Sequence, residues 1–543
     1  MKYASIFGQF LNIDHMLINI HCAKCIGIEA VPVVTEVDIA PGIGIHLVGL
    51  ADAAVKESLL RTITALQSRG FRIPGKKIVI NLAPADMHKK GSGYDLPIAL
   101  GIIAASRQRD LPLLKDFLIM GELGLDGAVK EIPGALPLAE LAEAEGLKGC
   151  ILPLKSAVEA VELLGVDIYG VCDIEEVLRV LSGEEPCDDL LAINRLKMVQ
   201  EEKDGNTGMT ALEEGGSGYT DGILDFADII GQEGAKRGLE IAASGGHNVL
   251  LIGSPGSGKS SLAKAMAGVL PKLSLSESLQ TSKIYSVAGK GNKNGGLMRN
   301  RPFRAPHYSA SLAAILGGGS DTILPGEISL AHNGIFFADE FCEAPKRALE
   351  ALRAPMEDRK VVISRLKSKV EYPADFMLVA ATNPCPCGYY GEGDRCICTP
   401  SRRIAYLSKL SGPIMDRIDV QLFLRKVDPK KLVQWKKAEP SAAVAARVLA
   451  AREIQRKRFE GEGIFTNAAM NNKHLEKYCP LSEECRNLLE RIIDSMGLSA
   501  RACTRIIKLA RTIADLAGAE DILPEHLSEA SAYRFLDKQN IFE

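Results

Sequence analysis

The chain contains no run of about 18 apolar residues, the length a helix needs to cross a bilayer, so no membrane span is expected. Met1 to Phe10 carries no charged segment leading into an apolar core, and no secretory signal is expected either. An excess of one charge is also missing. Against 65 Lys and Arg stand 68 Asp and Glu, a formal net charge of −3. Any surface for nucleic acid must then be a local patch rather than a property of the whole molecule. Cysteines number 13, an odd count in a long chain without a secretion signal, which argues against a disulfide framework. The cytoplasm is the expected compartment. What remains, 46% hydrophobic and 24% charged residues over 543 positions, suits a soluble globular protein of about three or four domains.

The most informative stretch is Gly253-Ser254-Pro255-Gly256-Ser257-Gly258-Lys259-Ser260, which fits G-x-x-x-x-G-K-[ST]. An apolar run, His247 to Ile252, precedes it with the length of a buried strand, and Ser261 to Leu270 follows with helix-forming residues. Strand, glycine loop and helix would gather bare backbone N–H groups and a helix N-terminus around an anion. Lys259 would reach the outer phosphates of a nucleotide, and the Ser260 hydroxyl would ligate Mg²⁺. Downstream, Gly334 to Ala338 is an apolar strand ending in Asp339 and Glu340. Two acids there suit a Mg²⁺ shell and the activation of a water, although acids at strand ends also cap helices. A third apolar strand, Phe376 to Thr382, ends at Asn383, whose side chain could orient the attacking water.

Around this centre the expected class is α/β. Residues 1–182 read as one α/β unit, with strands at 31–39, 77–82, 118–120 and 149–152, helices at 51–69 and 135–145, and an apolar helix opened by Gly91–Leu96 that runs through Ala105. Residues 183–225 turn acidic and glycine-rich, the composition of a solvated linker, with room for a short helix near 190–199. The nucleotide domain spans 226–426. From 427 to 543, and clearly from Ser441, the pattern is helical. Arg501, Arg505, Lys508 and Arg511 fall broadly on one face of the segment 500–516, which by itself reads as a solvated basic face.

Cys385, Cys387, Cys396 and Cys398 form C-x-C-x₈-C-x-C directly after Asn383. Two close pairs of thiolates on a glycine-containing loop could hold a tetrahedral Zn²⁺, the alternative being plain reduced thiols. Cys22 and Cys25 form a lone C-x-x-C pair with little prospect of metal or redox chemistry. Two insertions offer basic side chains to a substrate. One runs from Gly295 to Gly319 with Arg299, Arg301, Arg304 and His307. The other is an expected hairpin, 360–372, in which Arg365, Lys367 and Lys369 would alternate along one strand and share a face. Such loops suit phosphate-backbone contacts, which bind without reading sequence; an ordinary solvated hairpin would look the same.

Taken together these residues resemble an AAA+ ATPase. Phe303-Arg304-Ala305-Pro306-His307 and the stretch Leu324 to Gly334 resemble the magnesium-chelatase subgroup. Gly49-Leu50-Ala51-Asp52, Val79 to Asp86 and Asp95 to Leu100 resemble the amino-terminal domain of the ComM/YifB proteins. The resemblance covers nearly the whole chain outside the acidic stretch. It implies that Lys259 and Ser260 belong to Walker A, Asp339 and Glu340 to Walker B, and that Asn383 is sensor 1. Arg417 would be the arginine finger and Arg501 the lid arginine of sensor 2, with Arg505 as the substitute. A finger that serves the neighbouring subunit implies a ring, most often a hexamer.

The same resemblance gives residues 1–182 the fold of the Lon proteolytic domain (ribosomal S5 domain 2-like). There Gly93 occupies the place of the nucleophilic serine, and no lysine stands in Pro133 to Leu138 as the base, so a scaffold without peptidase activity is expected. The implied cofactors are ATP and Mg²⁺. The implied partner is DNA, single-stranded or branched, with branch migration of recombination intermediates during integration of foreign DNA as the implied task. A chelatase motor subunit and a protein-remodelling ATPase remain as alternatives.

Overall fold

The computed structural model describes residues 17–49, 53–89, 91–163, 165–204, 224–292, 294–319, 323–365, 368–410, 412–427 and 438–537. Residues 50–52 of the Gly49–Asp52 motif, Lys367, and residues 205–223 of the acidic stretch lie outside the described residues. Short-range packing divides the chain into two compact units. One comprises Met1–Gly215, Ser278–Met298 and Gly319–Leu324. The other comprises Gly216–Glu277, Arg299–Gly318 and Pro325–Glu543.

The first unit is built on a seven-stranded mixed sheet. Its strands are β1 (Ile18–Ile26), β2 (Glu29–Ala40), β3 (Ile45–Val48), β4 (Lys77–Ala83), β5 (Phe117–Ile119), β6 (Gly149–Pro153) and β7 (Asp167–Val171), in the order β3-β4-β2-β1-β5-β6-β7. Strands β1, β2 and β4 pair antiparallel, and the neighbours on either side of them pair parallel. The helix Asp95–Ala105 is buried all round, as its continuous apolar sequence requires. Gly101 makes that possible: a Cβ there would come within 2.4 Å of Val37. The one charge in this helix, Asp95, is held by Arg61 at 3.0 Å and by the Leu123 amide at 3.2 Å.

Segment 278–298 also belongs to this unit, which divides the nucleotide stretch 226–426 differently from a reading along the sequence. Lys283 lies between Glu29 and Glu140, at 3.0 and 2.6 Å, while Ser286 bonds the backbone of Gly134 and Leu136. Leu297 joins the apolar core.

The second unit holds a five-stranded parallel sheet. Its strands are β8 (Val249–Gly253), β9 (Phe303–Arg304), β10 (Ile335–Ala338), β11 and β12 of a separate hairpin (Lys360–Arg365 and Ser368–Pro373), β13 (Met377–Thr382) and β14 (Val420–Leu424). The sheet order is β9-β10-β13-β8-β14. Strands β8 and β13 are buried along their whole length, which fits continuous apolar runs in a sheet covered on both faces. The helices Glu233–Gly245 and Lys259–Val269 share one apolar core with helices from the stretch after Ser441, through Val448, Leu489, Ile506, Leu509 and Ile513.

The basic row on the helix Ala500–Leu516 is not a solvated face. Arg501 alone is well exposed. Arg505 is paired with buried Asp419, Lys508 donates to the Ala468 carbonyl at 3.1 Å, and Arg511 is buried against Asp515. Burying these stems beside the core forced each charge to find an internal partner.

The hairpin also differs from its reading. The register pairs Ser364 with Lys369 and Arg365 with Ser368, so the two strands run Lys360–Arg365 and Ser368–Pro373. Arg365 and Lys369 therefore stand on opposite strands and opposite faces, instead of alternating along one strand.

Candidate nucleotide site

Strand β8 ends at Gly253, and the chain turns through Gly256 at φ +77° and Gly258 at φ +92° before the helix starts at Lys259. Both glycines are in the left-handed region that other residues avoid, and an added Cβ on either would meet nothing within 4 Å. The loop is thus an open cradle. In-register pairing of Ile252 with Thr382 sets the end of β8 beside the end of β13, and Ala380 pairs with Ala338 on β10. Three parallel strands therefore deliver the glycine loop, Asn383 and Asp339 to the same edge, the carboxyl end where open α/β sheets bind ligands.

The side chains meet there. Lys259 Nζ donates to the Gly253 and Ser254 carbonyls at 2.6 and 3.0 Å and to Asn383 Oδ1 at 3.2 Å. Ser260 Oγ donates to Asp339 Oδ2 at 2.8 Å. Burial in the loop lowers the Lys259 pKa, and the Asp339 and Glu340 carboxylates oppose that shift. Ser257 Oγ is buried with no hydrogen-bond partner among the described residues. A lysine whose charge is held by carbonyl dipoles, a hydroxyl on a carboxylate, an orphaned hydroxyl and an open glycine cradle together fit a polyphosphate with Mg²⁺. Glu340 follows Asp339, is exposed, and is held at φ +49°, a left-handed backbone seldom kept by a non-glycine residue away from functional sites.

Arg417 and Arg501 form a separate group. Among the described residues, no hydrogen bond or ion pair links either one to Lys259, Ser260, Asp339, Glu340 or Asn383. Arg417 donates to the Pro413 carbonyl at 2.7 Å and pairs with Glu357, and Arg501 reaches Asp416 at 3.2 Å. Arg505, the substitute lid arginine, is committed to Asp419.

Sequence reasoning missed Asn248. It stands just before β8, where its Nδ2 donates to the Arg417 carbonyl at 2.8 Å and its Oδ1 accepts from the Leu378 amide at 2.8 Å. Its own amide donates to Asp419 Oδ2 at 3.1 Å. Asn248, Arg359, Asp375, Arg417, Asp419 and Arg505 line a polar cavity of about 90 Å³. A polar residue opening an otherwise apolar strand was the available signal.

The four cysteines converge. The Sγ atoms of Cys385, Cys387, Cys396 and Cys398 all lie within 4.8 Å of one another. Cys385 to Cys387 is 3.3 Å, and Cys396 is 3.8 Å from each of them. Zn–S bonds of about 2.3 Å in a tetrahedron require sulfurs about 3.8 Å apart. The donor set suits Zn²⁺.

Two of the basic residues expected to face a substrate do not. Arg301 is paired with Glu277 at 2.9 Å, and Arg304 grips Glu327 bidentately at 2.6 and 2.8 Å. Arg365 and Lys369 are exposed. Arg365 Nη2 would lie 3.4 Å from a Cβ on Gly318, so the hairpin and the glycine run of the other insertion are neighbours.

Comparison with known proteins covers nearly the whole chain. A family model described as magnesium chelatase, subunit ChlI, matches residues 225–432. A second, subunit ChlI of Mg-chelatase, matches 35–156, and a third, for the ChlI C-terminal part, matches 438–534. A protein named YifB from Salmonella typhimurium is 41% identical over 96% of this chain and 97% of its own length. Competence protein ComM from Haemophilus influenzae is 39% identical over 95% and 97%. A magnesium-chelatase 67 kDa subunit from Chlorobaculum parvum is 28% identical, but over only 30% of this chain and 24% of its own.

Proposed function

Because the chain belongs to the ComM/YifB family of magnesium-chelatase-like AAA+ proteins, whose membership supports an ATP-hydrolysing motor, we propose that it is a ring-forming ATPase that moves on DNA. The observation that carries the motor is the meeting of Lys259 with Asn383 and of Ser260 with Asp339 at one sheet edge.

Bound ATP and Mg²⁺ supply the phosphoanhydride to be cleaved and the cation that neutralises its charge. The amides of Gly253 to Gly258 cradle the phosphates, and Lys259 exchanges its carbonyl partners for phosphate oxygens. Ser260 and Asp339 hold the cation shell. Glu340 takes a proton from the attacking water, which Asn383 orients. Arg417 would stabilise the transition state of the neighbouring subunit, worth about 10³-fold or more in rate, and Arg501 would close the lid over the nucleotide. A finger in trans makes a ring, in keeping with a hexamer. The four thiols would hold one structural Zn²⁺.

In this reading residues 1–182 are a Lon-like scaffold, 183–225 a linker whose first part, with Cys187, Leu190 and Ala192, packs into that scaffold's core, 226–426 the ATPase core apart from 278–298, and 427–543 the helical lid. The absence of peptidase activity is supported by Gly93, which has no side chain to offer as a nucleophile. Ser92, next to it, hydrogen-bonds Glu122 rather than a lysine. For DNA, the support is the exposed hairpin with Arg365 and Lys369, together with similarity over nearly the full length to a competence protein. Branch migration of recombination intermediates is the task that fits both. The chelatase alternative has support from a relative that shares less than a third of the chain. ATPase rate measured with and without duplex, single-stranded and branched DNA, and with unfolded protein, tests the assignment. Stimulation by DNA is expected. Stimulation by unfolded protein and not by DNA would replace it with protein remodelling.

A further inference from the structure

Resting on the zinc reading above, we infer that the metal is a positioning element of the nucleotide site: by closing the loop Cys385–Cys398 it holds that loop as a strap against the phosphate loop and fixes Asn383, the partner of Lys259.

The chain leaves β13 at Thr382, passes Asn383 and reaches the first thiol two residues later. Cys385 is buried, so the metal would sit under the end of the strand that carries Asn383 rather than out on a projecting finger. Directly after the second thiol, Gly388 turns back at φ +86°. A Cβ on it would lie 3.0 Å from Pro255 Cδ, 3.2 Å from Pro255 Cγ and 3.9 Å from Asn383 Cγ. The backbone here thus passes close to both the phosphate loop and Asn383. Farther along, the nearby Ser254 side chain helps hold the Glu392 carboxyl below its usual range, and Glu392 pairs with Arg395 at 3.1 Å, one residue before the third thiol. Gly391 passes Phe423 of β14, with a Cβ–Cζ approach of 3.5 Å. The loop therefore packs on the phosphate loop at Pro255 through Gly388.

Packing alone is a poor source of order for such a loop. Between the two thiol pairs its only regular structure is the turn Gly393–Arg395, most of residues 391–400 are exposed, and Ile397 is 81% exposed. Holding a segment of this kind in one shape costs backbone entropy at every residue, with little apolar burial to offset it. A crosslink within the loop removes most of that cost, as structural zinc does in small metal-folded units. The sulfur separations are those of a tetrahedral thiolate site and too long for a disulfide.

The test uses the full-length protein purified under reducing, metal-replete conditions. One zinc per chain is expected by elemental analysis, and Co²⁺ exchanged into the site should show the absorption of a tetrahedral thiolate centre. Removing zinc with a chelator should weaken binding of a fluorescent ATP analogue by about tenfold, the size of one lost hydrogen bond to a charged group, and adding zinc back should restore it. Gly388→Ala separates the strap from the metal. It leaves all four thiols in place and pushes a methyl at Pro255, so it should keep one zinc per chain while losing a similar factor in nucleotide affinity. Zinc bound, with nucleotide affinity unchanged both after its removal and in Gly388→Ala, would overturn the strap and leave the zinc site standing. No zinc bound, and no Co²⁺ spectrum, would overturn the zinc reading and the strap with it.

Discussion

Asn248→Ala is the perturbation that most sharply separates positioning from binding. The side chain ties the start of β8 to two other places, the Arg417 carbonyl and the Leu378 amide, each at 2.8 Å. Removing both bonds costs about 1 kcal/mol each, so about 2 kcal/mol in all, discounted somewhat because the site is only half-buried and water can enter. None of this touches the phosphate loop. If that energy holds the Arg417 backbone in place for the neighbouring subunit, its loss should appear in turnover as a factor of about 5–30. Nucleotide affinity should stay within about twofold, since no phosphate contact changes. The assay is steady-state ATP hydrolysis on assembled rings, paired with equilibrium binding of a fluorescent nucleotide. Asn248→Asp sharpens it. An aspartate still accepts from Leu378 but presents an oxygen to the Arg417 carbonyl, so it should be about as slow as the alanine variant. Wild-type turnover in both variants, or an equal fall in affinity and turnover, would refute the positioning role.

Other perturbations address the remaining parts. Glu340→Gln should bind nucleotide normally and lose turnover, because in the proposed mechanism the residue activates water instead of holding phosphate; an equal loss of binding in a nucleotide titration would reassign it. Arg417→Ala and Lys259→Ala subunits should each be inactive alone, yet regain activity when mixed, at interfaces that pair an intact Lys259 with an intact Arg417. Mixed rings without recovery at any ratio would count against a finger in trans. His332 carries the pH prediction. It is buried, accepts from the Asp375 amide at 3.0 Å, and burial pulls its pKa from 6.5 to about 4. A base with a depressed folded pKa binds fewer protons folded than unfolded between pH 4 and 6.5, so stability falls as pH drops through that window. A shift from 6.5 to 4 at 1.36 kcal/mol per unit gives about 3 kcal/mol at most. His332→Asn, which keeps an acceptor for Asp375, should flatten the pH dependence of the denaturation midpoint there. An unchanged slope would rule His332 out as its source.

Much of this was legible in the sequence because the relevant signals are local. A glycine loop between an apolar strand and a helix needs no tertiary information, and strands buried on both faces show as unbroken apolar runs, as in Val249–Gly253 and Met377–Thr382. The first strand, Ile18–Ile26, went unread because His21, Lys24 and the cysteines interrupt its alternation, and its pairing with β2 overrides that weak local signal. Partnerships at long range were also hidden. The ion pair that commits Arg505 to Asp419 spans 86 residues, and Asn248 meets Arg417 across 169. Helical spacing placed Arg501 to Arg511 on one face but could not show that Asp419 pairs with Arg505 there. The hairpin was found, yet its turn was not. The stretch Arg365 to Lys369 has no glycine or Asn-Gly to mark a reversal, so it read as a continuing strand.

Movement of a synthetic four-way DNA junction in the presence of ATP tests the central claim most directly. The wild-type protein should bind the junction, with affinity that falls as salt rises because each phosphate contact releases counterions, and should exchange its strands only when ATP is hydrolysed. Glu340→Gln should bind the same junction and leave it unmoved. Replacing Arg365, Lys367 and Lys369 together with Ala should reduce exchange while basal hydrolysis continues. A wild-type protein that hydrolyses ATP but neither binds nor moves the junction would contradict the DNA motor and leave an ATPase that works on another substrate.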